Sequence, residues 1–231
     1  MSPIRRSFAG KDELALALAD AVATDLKAAI AARGAGAVAV SGGSTPARFF
    51  AELGRRIDVE WSKVTITLVD ERWVDESSER SNARLVRDRL LSGVAAAARF
   101  VPLYQGGEAP TAASVAQASA AIAALGPLDA VVLGMGSDGH TASFFPGGDT
   151  LEHALTAQGP VVDIRAPGAG EPRVTLTLAR ILAAQSLYLH IEGDEKLRVL
   201  DEALSPGETS DMPVRAVLHQ DQKPVTIFWC P

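Results

Sequence analysis

Short apolar runs alternate with helix-length amphipathic stretches along almost the whole chain. No other feature constrains the fold as tightly. "AVAV" (37–40), "VTITLV" (64–69), "DAVVL" (129–133), "VVDI" (161–164), "VTLTL" (174–178), "LYLHI" (187–191) and "VTIFW" (225–229) read as strands. Leu14, Leu18, Val22, Leu26 and Ile30 recur every four residues and predict a helix that stops near Gly34. "PARFFAELGRRI" is expected to be the next helix, with Pro46 in its first turn and Ser44 or Thr45 as its cap. "SNARLVRDRLL", "ASVAQASAAIAAL" and "DEKLRVLDEAL" supply three more. Strands that alternate with helices build an open, mostly parallel α/β sheet covered by helices.

At 231 residues, a single α/β domain spanning 1–231 is expected. A chain of this size buries roughly 70–75% of its unfolded surface and needs no disulfide or metal to fold. Cys230 stands alone, which excludes an intramolecular disulfide and suits a reducing cytoplasm. "IRRSFAGK" has a twin-arginine look, but the next stretch carries Asp12, Glu13, Asp20 and Asp25, so a helix of the fold is expected there rather than an export signal. No run approaches the roughly 18 apolar residues of a membrane span. Twenty-two basic against 28 acidic side chains give a formal charge of −6, which disfavours nucleic acid as the main partner. A small phosphorylated ligand needs only a few local cations. "RAPGAGEP" (165–172) reads as the most flexible segment.

In open α/β sheets ligands bind outside the carboxyl ends of the strands, so the loops after apolar runs carry the functional reading. Gly134-x-Gly136-x-x-Gly139 fits the dinucleotide fingerprint, yet that motif must open a long helix, and Pro146, Gly147 and Gly148 interrupt this one. The polar residues among the glycines are the better candidates. His140 is placed to act as a general base, and Asp138 to orient it. A plain turn in which Asp138 caps a short helix stays open. "SGGSTP" offers the amides of Gly42 and Gly43, the hydroxyls of Ser44 and Thr45 and a helix start, which together suit a phosphate; an ordinary capped turn is the alternative. Lys196 lies in the first turn of a helix, where the dipole disfavours a cation unless an anion binds nearby; local pairing with Glu192 or Asp194 is the simpler account. Asp70, Glu71 and Arg72 end a strand, either to meet a sugar or as a structural ion pair beside Trp73. His190 alternates within a strand and is expected in the core, and His153 and His219 on the surface. No spacing resembles a metal site and no Gly-x-Ser-x-Gly elbow is present, so neither a metal nor a serine nucleophile is expected.

Together, "SGGSTP", "LVDERWV", "SNARLVRDRLL" and "GMGSDGHTASFFPG" resemble the 6-phosphogluconolactonases, which share a modified Rossmann-like fold with the glucosamine-6-phosphate deaminases. The resemblance implies that His140 activates water for attack on a lactone carbonyl, assisted by Asp138, with Arg72 at the carbonyl or the product carboxylate; Asp70 is a further catalytic candidate. It implies a phosphate site from Gly42, Gly43, Ser44 and Thr45, completed by Arg173 and Lys196, and no cofactor. Amides of Gly136 and Gly139, or alternatively Arg72, are expected to serve the oxyanion. Deaminases carry an Asn-Glu pair after the histidine block; Phe144 and Phe145 stand there here, which favours a lactonase of sugar-phosphate lactones in the cytoplasmic oxidative pentose phosphate pathway. An amino-sugar-phosphate deaminase and a non-catalytic sugar-phosphate sensor are the alternatives, and a monomer or small homo-oligomer is expected.

Overall fold

The computed structural model describes residues 1–166 and 170–231, so part of the loop expected to be flexible lies outside the described residues. Strands β1 (Ile4–Ser7), β2 (Gly36–Val40), β3 (Val64–Leu68), β4 (Asp70–Arg72), β5 (Arg99–Val101), β6 (Ala130–Leu133), β7 (Val161–Ile164), β8 (Arg173–Leu176), β9 (Ser186–Glu192) and β10 (Val225–Cys230) form two sheets. Seven of them make a parallel sheet in the order β1-β10-β9-β6-β2-β3-β5. The others make a small antiparallel sheet, β4-β8-β7. Helices α1 (Lys11–Arg33), α2 (Ala47–Gly54), α3 (Asn82–Arg89), α4 (Ala112–Ala123), α5 (Leu151–Thr156), α6 (Leu178–Leu182), α7 (Asp194–Leu204) and α8 (Arg215–Leu218) complete the fold. This is the open, helix-flanked α/β architecture expected from the sequence.

The central strands are covered on both faces, which is why they read as continuous apolar runs: every residue of β2 and β6 is buried. The stripe Leu14, Leu18, Val22, Leu26 and Ile30 is buried as its spacing predicts, and α1 ends where the left-handed Gly34 donates its amide to the Ile30 carbonyl at 2.8 Å. From β2 the chain builds outward through β3 and β5, then returns to the other side of β2 through β6, β9 and β10. That reversal opens a crevice beyond the carboxyl ends of β2 and β6, so the loops at 41–46 and 134–141 face each other.

Several boundaries differ from expectation. The run 174–178 is not all strand: Thr177 leaves β8 and caps α6, its hydroxyl accepting from the Arg180 amide. Neither Ser44 nor Thr45 caps α2, because the cap position is Pro46 itself, and the helix ends at Gly54, short of Ile57. The twin arginines belong to β1, an exposed edge strand, with the Arg6 guanidinium over the rings of Phe8 and Phe228. No helix of the described residues is long and apolar enough to cross a membrane.

Candidate active site

Beyond β2 the chain turns through Gly42 and Gly43 into α2. Among the described residues, the amides of Gly42, Gly43, Ser44 and Thr45 and the hydroxyls of Ser44 and Thr45 have no protein partner. Free donors at the start of a helix form a cradle for an anion. Gly42 is required by close approach: a Cβ there would lie 1.9 Å from the Asn82 Oδ1. Asn82 is itself fixed, its side-chain amide donating to the Asp70 carbonyl at 2.9 Å.

Beyond β6 the turn folds on itself. Gly136 donates its amide to the His140 carbonyl at 2.9 Å, Gly139 donates to the Gly136 carbonyl at 3.2 Å, and the Thr141 hydroxyl donates to the Gly134 carbonyl at 2.7 Å. Both amides, expected as oxyanion donors, thus already serve the turn. Gly136 matters sterically instead. A Cβ there would sit 2.2 Å from the His140 Nδ1 and 2.6 Å from the Asp138 Oδ1. Of the fingerprint's glycines, Gly136 makes room for an imidazole and its carboxylate, whereas Gly139 turns through φ +76° against Met212.

The Asp138 Oδ1 lies 2.5 Å from the His140 Nδ1 and also accepts the His140 amide at 3.1 Å. Its bond to His140 holds the Asp138 carboxyl below the usual carboxylate range, so it remains an anion at neutral pH. A carboxylate accepts only, which assigns the proton of the neutral ring to Nδ1 and leaves the Nε2 lone pair as the base. The ring is about one third exposed and reaches the cavity wall.

The cations come from three elements. Arg72 and Arg173 stand directly opposite each other across β4 and β8. Like charges in that register repel, so the pairing makes sense where an anion is to be held. The Arg72 Nη1 donates to the Arg80 carbonyl at 2.5 Å. The Arg173 guanidinium is buried and lies 3.8 Å from the Asp70 carboxylate, which in turn accepts from the Ser143 hydroxyl at 2.5 Å. Asp70 thus positions Arg173, and burial pushes the Arg173 guanidinium below its ordinary range. Lys196 opens α7 and reaches the same cavity, where burial lowers its ammonium pKa. It makes no direct ion pair with Glu192 or Asp194, although the Glu192 charge favours its ammonium; Glu192 contacts Lys11 at 3.1 Å and the His190 Nε2 at 3.2 Å.

Every candidate site residue lines one cavity of about 190 Å³ except Asp138 and Gly139, which stand behind His140. Glu71, weighed with Asp70 and Arg72, is turned inward: its carboxylate accepts the amides of Arg72, Asn82 and Ala83 at 2.8 Å and the Ser81 hydroxyl at 3.1 Å, tying β4 to the start of α3. His190 is buried as expected but also forms part of the cavity wall, while His153 and His219 are exposed. Asn82, Ala142 and His190 line the cavity although nothing in the sequence marks them as site residues. Ala142 holds φ +51°, a backbone strain of about 1–3 kcal/mol of the kind found at functional sites. Among the described residues no group of three His, Cys, Asp or Glu is placed to hold a metal ion.

Over residues 9–229 the chain matches the family described as glucosamine-6-phosphate isomerases/6-phosphogluconolactonase. It is 54% identical over 234 aligned residues to a 6-phosphogluconolactonase of Rhizobium meliloti (strain 1021), with 100% of both proteins covered. It is similar to the crystal structure of a 6-phosphogluconolactonase from Shewanella baltica OS155, with a TM-score of 0.93 and 40% identity over 100% of this chain and 98% of that one. A monomeric glucosamine-6-phosphate deaminase shares the fold at 16% identity, with a TM-score of 0.82 over 98% of this chain and 97% of that one.

Proposed function

Because the chain belongs to the family of glucosamine-6-phosphate isomerases and 6-phosphogluconolactonases, we propose that it hydrolyses 6-phospho-D-glucono-1,5-lactone to 6-phospho-D-gluconate, the lactonase step of the oxidative pentose phosphate pathway in the cytoplasm. The observation that carries this reading is one cavity whose wall combines a cradle of free donors, the cations Arg72, Arg173 and Lys196, and an oriented imidazole.

The substrate phosphate accepts from the amides and hydroxyls of residues 42–45, with Arg173 and Lys196 of the same cavity supplying positive charge. Binding energy from that remote group fixes the reacting carbon, which is worth more than any contact made equally in the ground state. His140 removes a proton from water through Nε2 as the oxygen attacks the lactone carbonyl. Asp138 holds the Nδ1–H and favours the imidazolium that forms. The carbonyl oxygen becomes an oxyanion that Arg72 meets; its place in the cavity wall and the engagement of the Gly136 and Gly139 amides within their own turn support this reading. Collapse breaks the bond from the carbonyl carbon to the ring oxygen, and the imidazolium returns its proton to that oxygen. The products are a carboxylic acid, which ionises, and a free hydroxyl.

Phe144 and Phe145, both apolar and both buried, support the lactonase over the deaminase branch, which needs a further proton carrier there. The test is proton release from the lactone, corrected for spontaneous hydrolysis, beside ammonia release from glucosamine 6-phosphate. General-base assistance contributes about 10²–10⁴-fold, so His140→Ala is expected to lower kcat by that order. Full turnover by that variant, or ammonia release in place of lactone opening, ends the proposal.

A further inference from the structure

Phe145 is not among the residues that line the cavity, yet two that are, His140 and Arg173, meet on its ring. The His140 imidazole lies on it with centroids 4.5 Å apart and planes inclined at 36°. The Arg173 guanidinium carbon lies 5.2 Å from the same centroid. The ring is almost fully buried, and its backbone is pinned by the Gly148 amide, which donates to the Phe145 carbonyl at 3.0 Å. Phe144 beside it is wholly buried in the core, so the segment has little freedom to move.

We infer that Phe145 is the positioning residue that sets the distance between the base and the phosphate-binding cation. This rests on the proposed placing of the phosphate at Arg173. The reasoning is geometric. Arg173 comes from β8 of the small sheet and His140 from the turn after β6 of the large one, and a single rigid surface spans the two. A guanidinium over an aromatic face is held by the ring quadrupole and keeps its planar donors directed sideways. The imidazole packed on the same ring has one orientation about its side-chain bonds, with Nδ1 on Asp138 and Nε2 free. An aliphatic side chain of similar volume fills the space without offering either partner a flat, electron-rich face.

The experiment uses Phe145→Leu, with Phe145→Tyr as the variant that keeps a ring and Phe145→Met as a second aliphatic in case Leu fails to fold. Folding is followed by thermal melting. Steady-state constants for 6-phosphogluconolactone are measured in the parent, Arg173→Gln and His140→Ala backgrounds. In the parent, Phe145→Leu is expected to raise KM by about 3- to 30-fold, the range of a partly buried cation–π contact, and to lower kcat by roughly tenfold through the loosened imidazole. Phe145→Tyr is expected to stay within about threefold of the parent in both constants. In Arg173→Gln the Leu change should raise KM no further, and in His140→Ala it should lower kcat no further. A residue that only supports the fold would lower the melting temperature and the active fraction with KM unchanged, and its effects would multiply in both backgrounds; either result overturns the inference. An Arg173→Gln enzyme with unaltered KM refutes the phosphate placing itself, whereas an impaired Arg173→Gln enzyme with multiplicative Leu effects refutes Phe145 alone.

Discussion

Replacing Gly42 by alanine tests the phosphate cradle while keeping every amide and hydroxyl that binds. The new Cβ would lie 1.9 Å from the Asn82 Oδ1, 2.2 Å from its Cγ and 2.8 Å from its Nδ2. Comfortable separation is roughly 3.5 Å, so something must move by about 1.5 Å. Asn82 resists. Its Nδ2 is bonded to the Asp70 carbonyl, its own amide to Glu71, and it is buried at the start of α3. Expelling it forfeits a hydrogen bond and strands polar groups, at about 1–3 kcal/mol. Shifting the loop instead carries the amides of Gly43, Ser44 and Thr45 off the phosphate by about 1 Å, a misplacement that can cost on the order of 10²-fold. The expected outcome is a fall of about 10²-fold in kcat/KM, close to 2.7 kcal/mol, carried mainly by KM. The assay is lactone-dependent proton release at varied substrate, corrected for spontaneous opening, with unphosphorylated glucono-1,5-lactone as the control whose rate should hardly change. Asn82→Ala removes the obstruction, so the double variant Gly42→Ala/Asn82→Ala should recover to about the level of Asn82→Ala alone. Parent-like kinetics for Gly42→Ala, or a double variant showing the product of both losses, refutes the steric reasoning.

Two further outcomes are expected from the same geometry. Glu71→Gln keeps the shape but gives up charge-assisted bonds to three amides, so the melting temperature should fall by about 5–15 °C, corresponding to roughly 2–4 kcal/mol, with KM little changed; an unaltered melting curve would contradict this role. Burial places the Lys196 ammonium below the usual lysine range, and it binds phosphate only while protonated. Affinity for 6-phosphogluconate, followed by calorimetry from neutral to alkaline pH, should therefore decline before the ordinary lysine value is reached, and Lys196→Arg should move that decline to higher pH; identical profiles for the two proteins would argue against Lys196 as a phosphate ligand.

The large sheet and its crevice are legible in the sequence because buried parallel strands must be apolar throughout, and the loops that interrupt them stand out as polar and glycine-rich. "SGGSTP" and "GMGSDGH" declare themselves as candidates for that reason. Their purpose is less legible. Nothing in one dimension says that Gly136 yields its side chain to the His140 ring, or that Gly42 yields its own to Asn82. Arg173 is invisible locally, since "EPRVTLTL" carries no signal; its meaning comes from lying across from Arg72 in a sheet made of distant segments. Glu71 misleads for the opposite reason: a charged residue beside candidate site residues turns inward to hold the amides that open α3. The edge strand β1 escapes a pattern-based reading because its residues are exposed and carry no alternation. Alternation places His190 in the core, correctly, but β9 lies next to β6 and brings that residue to the mouth of the crevice.

The opposed arginines of β4 and β8 bear on product release. On the proposed assignment the substrate enters with one anionic group and departs with two, because ring opening creates a carboxylate within reach of Arg72. The reaction product thus complements the resident positive field better than the lactone that preceded it. Gluconate phosphate is therefore expected to compete with its precursor for the cavity, and initial rates measured with added product would register that competition.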